Sequence, residues 1–218
     1  MDTYFDLGGY SFPVTTQSTE AQTWFDRGIL WTYGYNHEEA VTCFERAIDA
    51  DPKCAMAHWG AGYAVGPNYN MPWDLFDYAG RAAAARAGYA HARKALDLID
   101  GVTRWEAALI HALPARHPQP DPLNPEAMKA WNADFADAMR DVFAAHPENH
   151  EVRTVFAESL LNLTPWKMWD LTSGQPAAGA LTVEAQTVLE EALEGDSSAM
   201  HHPGLLHLYV HLMEMSPF

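Results

Sequence analysis

Two imidazoles and a carboxylate recur as His207-x3-His211-x2-Glu214. On a helix of 3.6 residues per turn, offsets of four and seven fall within about 60° of arc, so all three would project from one face. Two histidines and a carboxylate are adequate ligands for Zn²⁺ or non-haem iron, where the ion would serve as Lewis acid or redox centre. The spacing is not that of the His-Glu-x-x-His proteases, because Leu208 stands where their general base would be. A hydrated polar face, or imidazoles hydrogen-bonded inside the fold, is the competing reading, since three residues of one helix leave a metal site incomplete. His37 and His58 are the candidates for further ligands. Glu38 and Glu39 beside His37 could add oxygens, yet Asn36 and the acidic pair also make an ordinary helix N-terminus. His202 precedes the histidine helix and is a candidate cap or extra ligand.

A second set of residues suits a polar ligand. Asn68, Tyr69, Asn70 and Trp73 lie in one breaker-rich stretch, and Trp166 and Trp169 lie in another. Each stretch carries Pro-Trp, at Pro72-Trp73 and Pro165-Trp166. Long loops of this composition bind more often than they merely connect. Glu158, on a helix, would face the same groove. Against this stands a structural role, with the tryptophans plugging the loops against the body. Neither a Gly-x-Ser-x-Gly elbow nor a phosphate-binding glycine loop is present, and no motif surrounds either cysteine.

The elements that position these residues follow from one repeat unit. Trp24, Gly28, Trp31, Ala40, Phe44, Ala47 and Pro52 stand at the spacing of a helix–turn–helix repeat of about 34 residues. Helices are expected at roughly 20–35, 38–50, from Pro52 to Val65, 75–98, 102–115, 125–145, 151–163, from about Val183, and 200–215. Thr103 and Glu106 form a capping box, and Pro125 suits a first helical turn. Ala185-x3-Leu189-x2-Ala192 repeats the Ala40-x3-Phe44-x2-Ala47 spacing. Both inserted loops interrupt a helix pair at the same place. Residues 1–20 read as an extended arm, and 21–218 as the repeat domain.

The unit resembles the tetratricopeptide repeat family. Tyr35-Asn36-His37-Glu38-Glu39-Ala40, Asp51-Pro52-Lys53-Cys54-Ala55-Met56-Ala57-His58-Trp59-Gly60, Gly66-Pro67-Asn68-Tyr69-Asn70 and the His202–Glu214 stretch are similar to a subgroup of microbial repeat proteins. The resemblance implies an all-α fold, a right-handed solenoid of antiparallel helix pairs, and a concave groove for a peptide, protein or small polar ligand. Helix A of each pair lines that groove, which would turn His207, His211 and Glu214 toward it. No activity comes with the likeness. Proteins of that kind continue past the equivalent of Phe218, and no capping helix follows Met215, so a fragment incomplete at its C-terminus is expected.

Bulk properties set the outer limits. The 48% hydrophobic content belongs to a folded chain rather than a disordered one. A formal charge of −16 argues against nucleic acid or an anionic membrane as partner, because those demand clustered Lys and Arg. Two cysteines make no disulfide framework. The start, Met1 to Asp6, lacks a basic and apolar leader, and no apolar run reaches a membrane span. A cytoplasmic protein is the expectation.

Overall fold

A computed structural model describes residues 4–218, so the first three residues of the expected arm lie outside the described part. Among the described residues the secondary structure is helical, with nine α-helices and no strand. They are α1 (Thr19–Tyr33), α2 (His37–Ala50), α3 (Ala55–Ala64), α4 (Tyr78–Asp97), α5 (Arg104–Arg116), α6 (Pro125–Ala145), α7 (His150–Leu161), α8 (Thr182–Gly195) and α9 (Pro203–Met213). No helix among them is long and apolar enough to cross a membrane.

Local chemistry sets the boundaries. Ser18 caps α1 by accepting from the Ala21 amide at 3.1 Å, and Asn36 caps α2 through Glu39. The Thr103–Glu106 capping box is complete in both directions, and Pro125 occupies the first turn of α6. Gly28 of α1 and Gly60 of α3 flank the Phe44 ring of α2, close enough that a Cβ at Gly28 would sit 2.7 Å from it. Phe44 in turn packs on Phe25 at 5.3 Å between ring centres. These small residues let three helices approach around one aromatic, with Gly60 rather than the spacing-matched Gly62 opposite Gly28.

Neighbouring helices pack in chain order, α1 on α2, α2 on α3 and so on to α8 on α9. The departures from chain order are the contacts of α1 with α3, α3 with α5, α7 with α9 and, the longest, α1 with α9. An open solenoid keeps its first and last helices apart, whereas here α9 returns to α1. Gly204 makes this approach possible, since a Cβ there would meet Thr154 Cγ2 at 2.6 Å and the Tyr33 ring at 2.9 Å.

The N-terminal segment is extended and pinned at four places. Tyr4 lies among Trp31, Glu39 and Cys43. Tyr10 donates to Glu151, and Phe12, 1% exposed, packs between Phe25 and Trp105. Thr15 donates its amide and hydroxyl to the two oxygens of Glu106, both at 2.6 Å. Glu106 therefore closes the α5 cap and holds the arm at once. Its burial is complete, and hydrogen bonds from Thr15 and Thr103 replace the water it loses.

Candidate functional site

Helix α9 presents Leu205, Leu208 and Leu212 to the core and His207 and His211 to one side. The two Nε2 atoms lie 3.0 Å apart. His207 Nδ1 is held by the backbone carbonyl of Tyr33 and His211 Nδ1 by Glu214 Oε1 at 3.0 Å. Burial lowers the pKa of His207, while the Tyr33 carbonyl works the other way. Glu214, expected as a third ligand, instead sits behind His211. Three residues after the histidine it falls beside Nδ1, and it does not converge with the Nε2 pair. Among the described residues no group of three or more His, Cys, Asp and Glu is arranged to hold a metal ion.

Aromatic rings wall the pair. Tyr35 stacks on His211 at 5.2 Å and tilts against His207 at 4.8 Å. Tyr69 from the first loop meets His211 at 5.0 Å and Trp166 of the second loop at 5.2 Å. The two inserted loops and α9 thus come together at one place. Tyr35 (φ 58°) and Trp166 (φ 64°) are the only non-glycine residues with positive φ among those described. For bulky side chains this left-handed backbone costs on the order of 1–3 kcal/mol, and such strain collects at functional sites. Both strained residues face His211.

Trp166 also borders a pocket of about 300 Å³ between the loops. Trp73, Asn132, Asn162 and Thr164 line it, and Lys129, Lys167 and Asp74 stand at its rim. Trp73 Nε1 and Asn132 Oδ1 are buried with no hydrogen-bond partner. The other amide atom of Asn132 reaches the Asn162 carbonyl at 3.5 Å.

The remaining sequence candidates are distributed differently. Asn68 builds its own turn, its side-chain oxygen accepting from the Asn70 and Met71 amides at 2.9 Å each. Tyr69 and Trp73 are buried, Asn70 is exposed, and Trp166 keeps 46% exposure. Trp169 is a plug, its Nε1 donating to the Leu212 carbonyl at 2.6 Å and so locking α9. Glu158 does not face an open groove. It is 5% exposed, accepts from the Tyr63 hydroxyl, and lines a small closed cavity with Tyr33, Tyr35 and Gly204. Burial raises its pKa to about 8, with the Asn162 side chain opposing.

His37 and His58 do not join His207 and His211. The His37 ring is surrounded by the carbonyls of Ala64, Thr32 and Gly66, with Nδ1 2.8 Å from the first. Burial, then the Arg116 charge, takes its pKa down to about 4. It stands beside an apolar cleft of about 740 Å³ walled by Val41, Val65, Met71 and Phe76. His58 pairs with His91 of α4, Nδ1 to Nδ1 at 3.3 Å, and burial takes it to about 4 as well.

One cluster escaped the sequence reading. Glu151 accepts from the hydroxyls of Tyr10 and Tyr33 and lies 3.3 Å from His202 Nε2, while His202 Nδ1 accepts from the Leu205 amide and so caps α9. Burial, then the Glu151 charge, raises both tyrosine pKa values. The cluster ties the arm, α1, α7 and α9 together. Only the His202 cap left a local trace in the sequence. Compared with known proteins, the chain matches no family model, no curated protein and no solved structure.

Proposed function

We propose that this chain is a binding protein built on tetratricopeptide-like helix pairs, and that it holds a small polar ligand between its two inserted loops. The observation that carries this reading is the pair of unpartnered buried atoms, Trp73 Nε1 and Asn132 Oδ1, in residues lining the same pocket. A buried polar group left unpaired costs about 1–3 kcal/mol, and with the Asn162 amide also unpartnered at this pocket, the group calls for a molecule that pairs them. Trp73 offers a donor and Asn132 an acceptor. Lys167 stands beside the pocket and favours an anionic group, whereas Lys129 is already paired with Glu126 and Asp74. A small carboxylate carrying a hydroxyl or amine satisfies all three. The pocket volume of about 300 Å³ is at the low end for small-molecule sites and admits such an acid more readily than a length of peptide.

The test is saturation-transfer NMR with a panel of free amino acids and short hydroxy acids, followed by titration of those that bind. Trp73→Phe removes the unpaired indole donor and keeps an aromatic ring. Its stability should match or exceed that of the wild type, while affinity for the bound acid falls about tenfold. A panel with no binder, or a Trp73→Phe protein of unchanged affinity, overturns the reading.

A further inference from the structure

The cleft beside His37 is the largest concavity described above, at about 740 Å³. Its walls are mostly apolar. Val41 of α2 stands on one side, and Val65, Met71 and Phe76 come from the end of α3 and the first inserted loop. Helix α4 adds only alanines, which leaves the cleft wide on that side. The volume lies within the roughly 300–1,000 Å³ of small-molecule sites.

The polar features of this cleft ask for a donor that carries positive charge. His37 Nδ1 lies 2.8 Å from the Ala64 carbonyl, which can only accept, so Nδ1 holds the ring hydrogen. Burial, then the Arg116 charge, takes the His37 pKa down to about 4, which leaves the ring neutral with a single N–H. Nε2 is then an acceptor, and it is buried without a hydrogen-bond partner. Among the described residues bordering the cleft, Glu38 is the only Asp, Glu, Lys or Arg. Its carboxylate takes no part in the ion pairs found among the described residues. Arg116, whose charge reaches His37, is 1% exposed, donates to the Pro67 carbonyl and does not border the cleft. An ammonium has three donors and no acceptor, and so suits an unpaired Nε2 next to a carboxylate.

We propose that this cleft binds a small primary amine with an apolar body, its ammonium paired with Glu38 and donating to His37 Nε2. Val41, Val65, Met71 and Phe76 take the apolar body out of water. The site uses neither Trp73 nor Asn132 and selects the opposite charge, so it stands or falls apart from the acid proposed between the loops.

The test is titration calorimetry with compounds that share a body and differ in the head group. One set is phenethylamine, phenethyl alcohol and hydrocinnamate; the other is hexylamine, hexanol and heptanoate. Each amine should bind about tenfold more tightly than its alcohol, and the acids weakest of all. Glu38→Gln should lower amine affinity about tenfold and bring it level with the alcohol. Ala83→Phe places a ring at the exposed edge of the cleft and should weaken amine and alcohol alike. In ¹⁵N NMR of the wild type, the His37 Nε2 signal should move as amine is added. Four results overturn the proposal: no amine bound, an alcohol or acid bound as tightly as its amine, amine affinity unchanged in either variant, or a basic peptide preferred to every free amine.

Discussion

Glu158 gives the sharpest test of the buried electrostatics. Its carboxyl is 5% exposed, receives the Tyr63 hydroxyl, and has its pKa raised from 4.5 to about 8 by burial. The native state therefore keeps a proton that the unfolded chain releases above about pH 4.5. Where the native state binds more protons, stability falls as pH rises, so the loss runs from pH 4.5 through about 8. At about 1.36 kcal/mol per unit, the whole window is worth on the order of 5 kcal/mol. Part of that window overlaps other groups. His37, His58, His91, His117 and His207 have pKa values lowered below 6.5, so they make stability rise with pH and fall silent above it. Between about pH 6.5 and 8.5 Glu158 alone governs the slope among these, with a loss of about 2 kcal/mol. Urea unfolding at several pH values across that interval measures it. Glu158→Gln keeps the shape, stays neutral and should flatten the slope, leaving the variant the more stable protein at pH 8.5. A wild-type profile flat over the interval, or an equal slope in the variant, would refute a carboxyl held neutral by burial.

Two substitutions test the packing and the strain. Gly60→Ala drives a Cβ into the Phe44 ring and should cost about 1–3 kcal/mol in urea unfolding, because the ring is itself enclosed by Phe25 and Gly28. A loss below about 0.5 kcal/mol would show that Phe44 can move aside. Trp166→Gly releases a left-handed backbone from a bulky residue that is 46% exposed. Its thermal midpoint should stay level or rise by a few degrees, while affinity for the acid bound between the loops weakens. A midpoint lowered by more than about 5 °C would mean that the ring serves mainly to hold the fold.

Local chemistry was readable wherever it stayed local. The Thr103–Glu106 box, Pro125 and the small residues around Phe44 act within a few positions or one repeat, and all nine helices lie close to their expected spans. The His207–His211 pairing is legible for the same reason, being one helical turn. Glu214 shows the limit of face arithmetic. Arc alone put it with both histidines, but its three-residue step from His211 brings it to Nδ1 on the far side of the ring. The Glu151 cluster joins residues 141 and 192 positions apart, and no periodicity encodes such a meeting. Positive φ at Tyr35 and Trp166 runs against the preference of aromatic residues, so a reading by propensity passes over both. The unpaired atoms of Trp73 and Asn132 exist only once α6 lies beside the first loop.

The return of α9 to α1 has a consequence for how the protein assembles. Tyr10 meets His202 across 192 positions, and His207 meets Tyr33 across 174. Contacts so distant in sequence carry a large loop-closure entropy and form late, after neighbouring helices have paired. During synthesis, the Tyr33 carbonyl and the Tyr35 ring wait for their α9 partners, His207 and His211, until α9 has left the ribosome. The histidine pair is then a clasp that forms only once α9 has docked on α1, because its outer hydrogen bond to Tyr33 needs both helices in place.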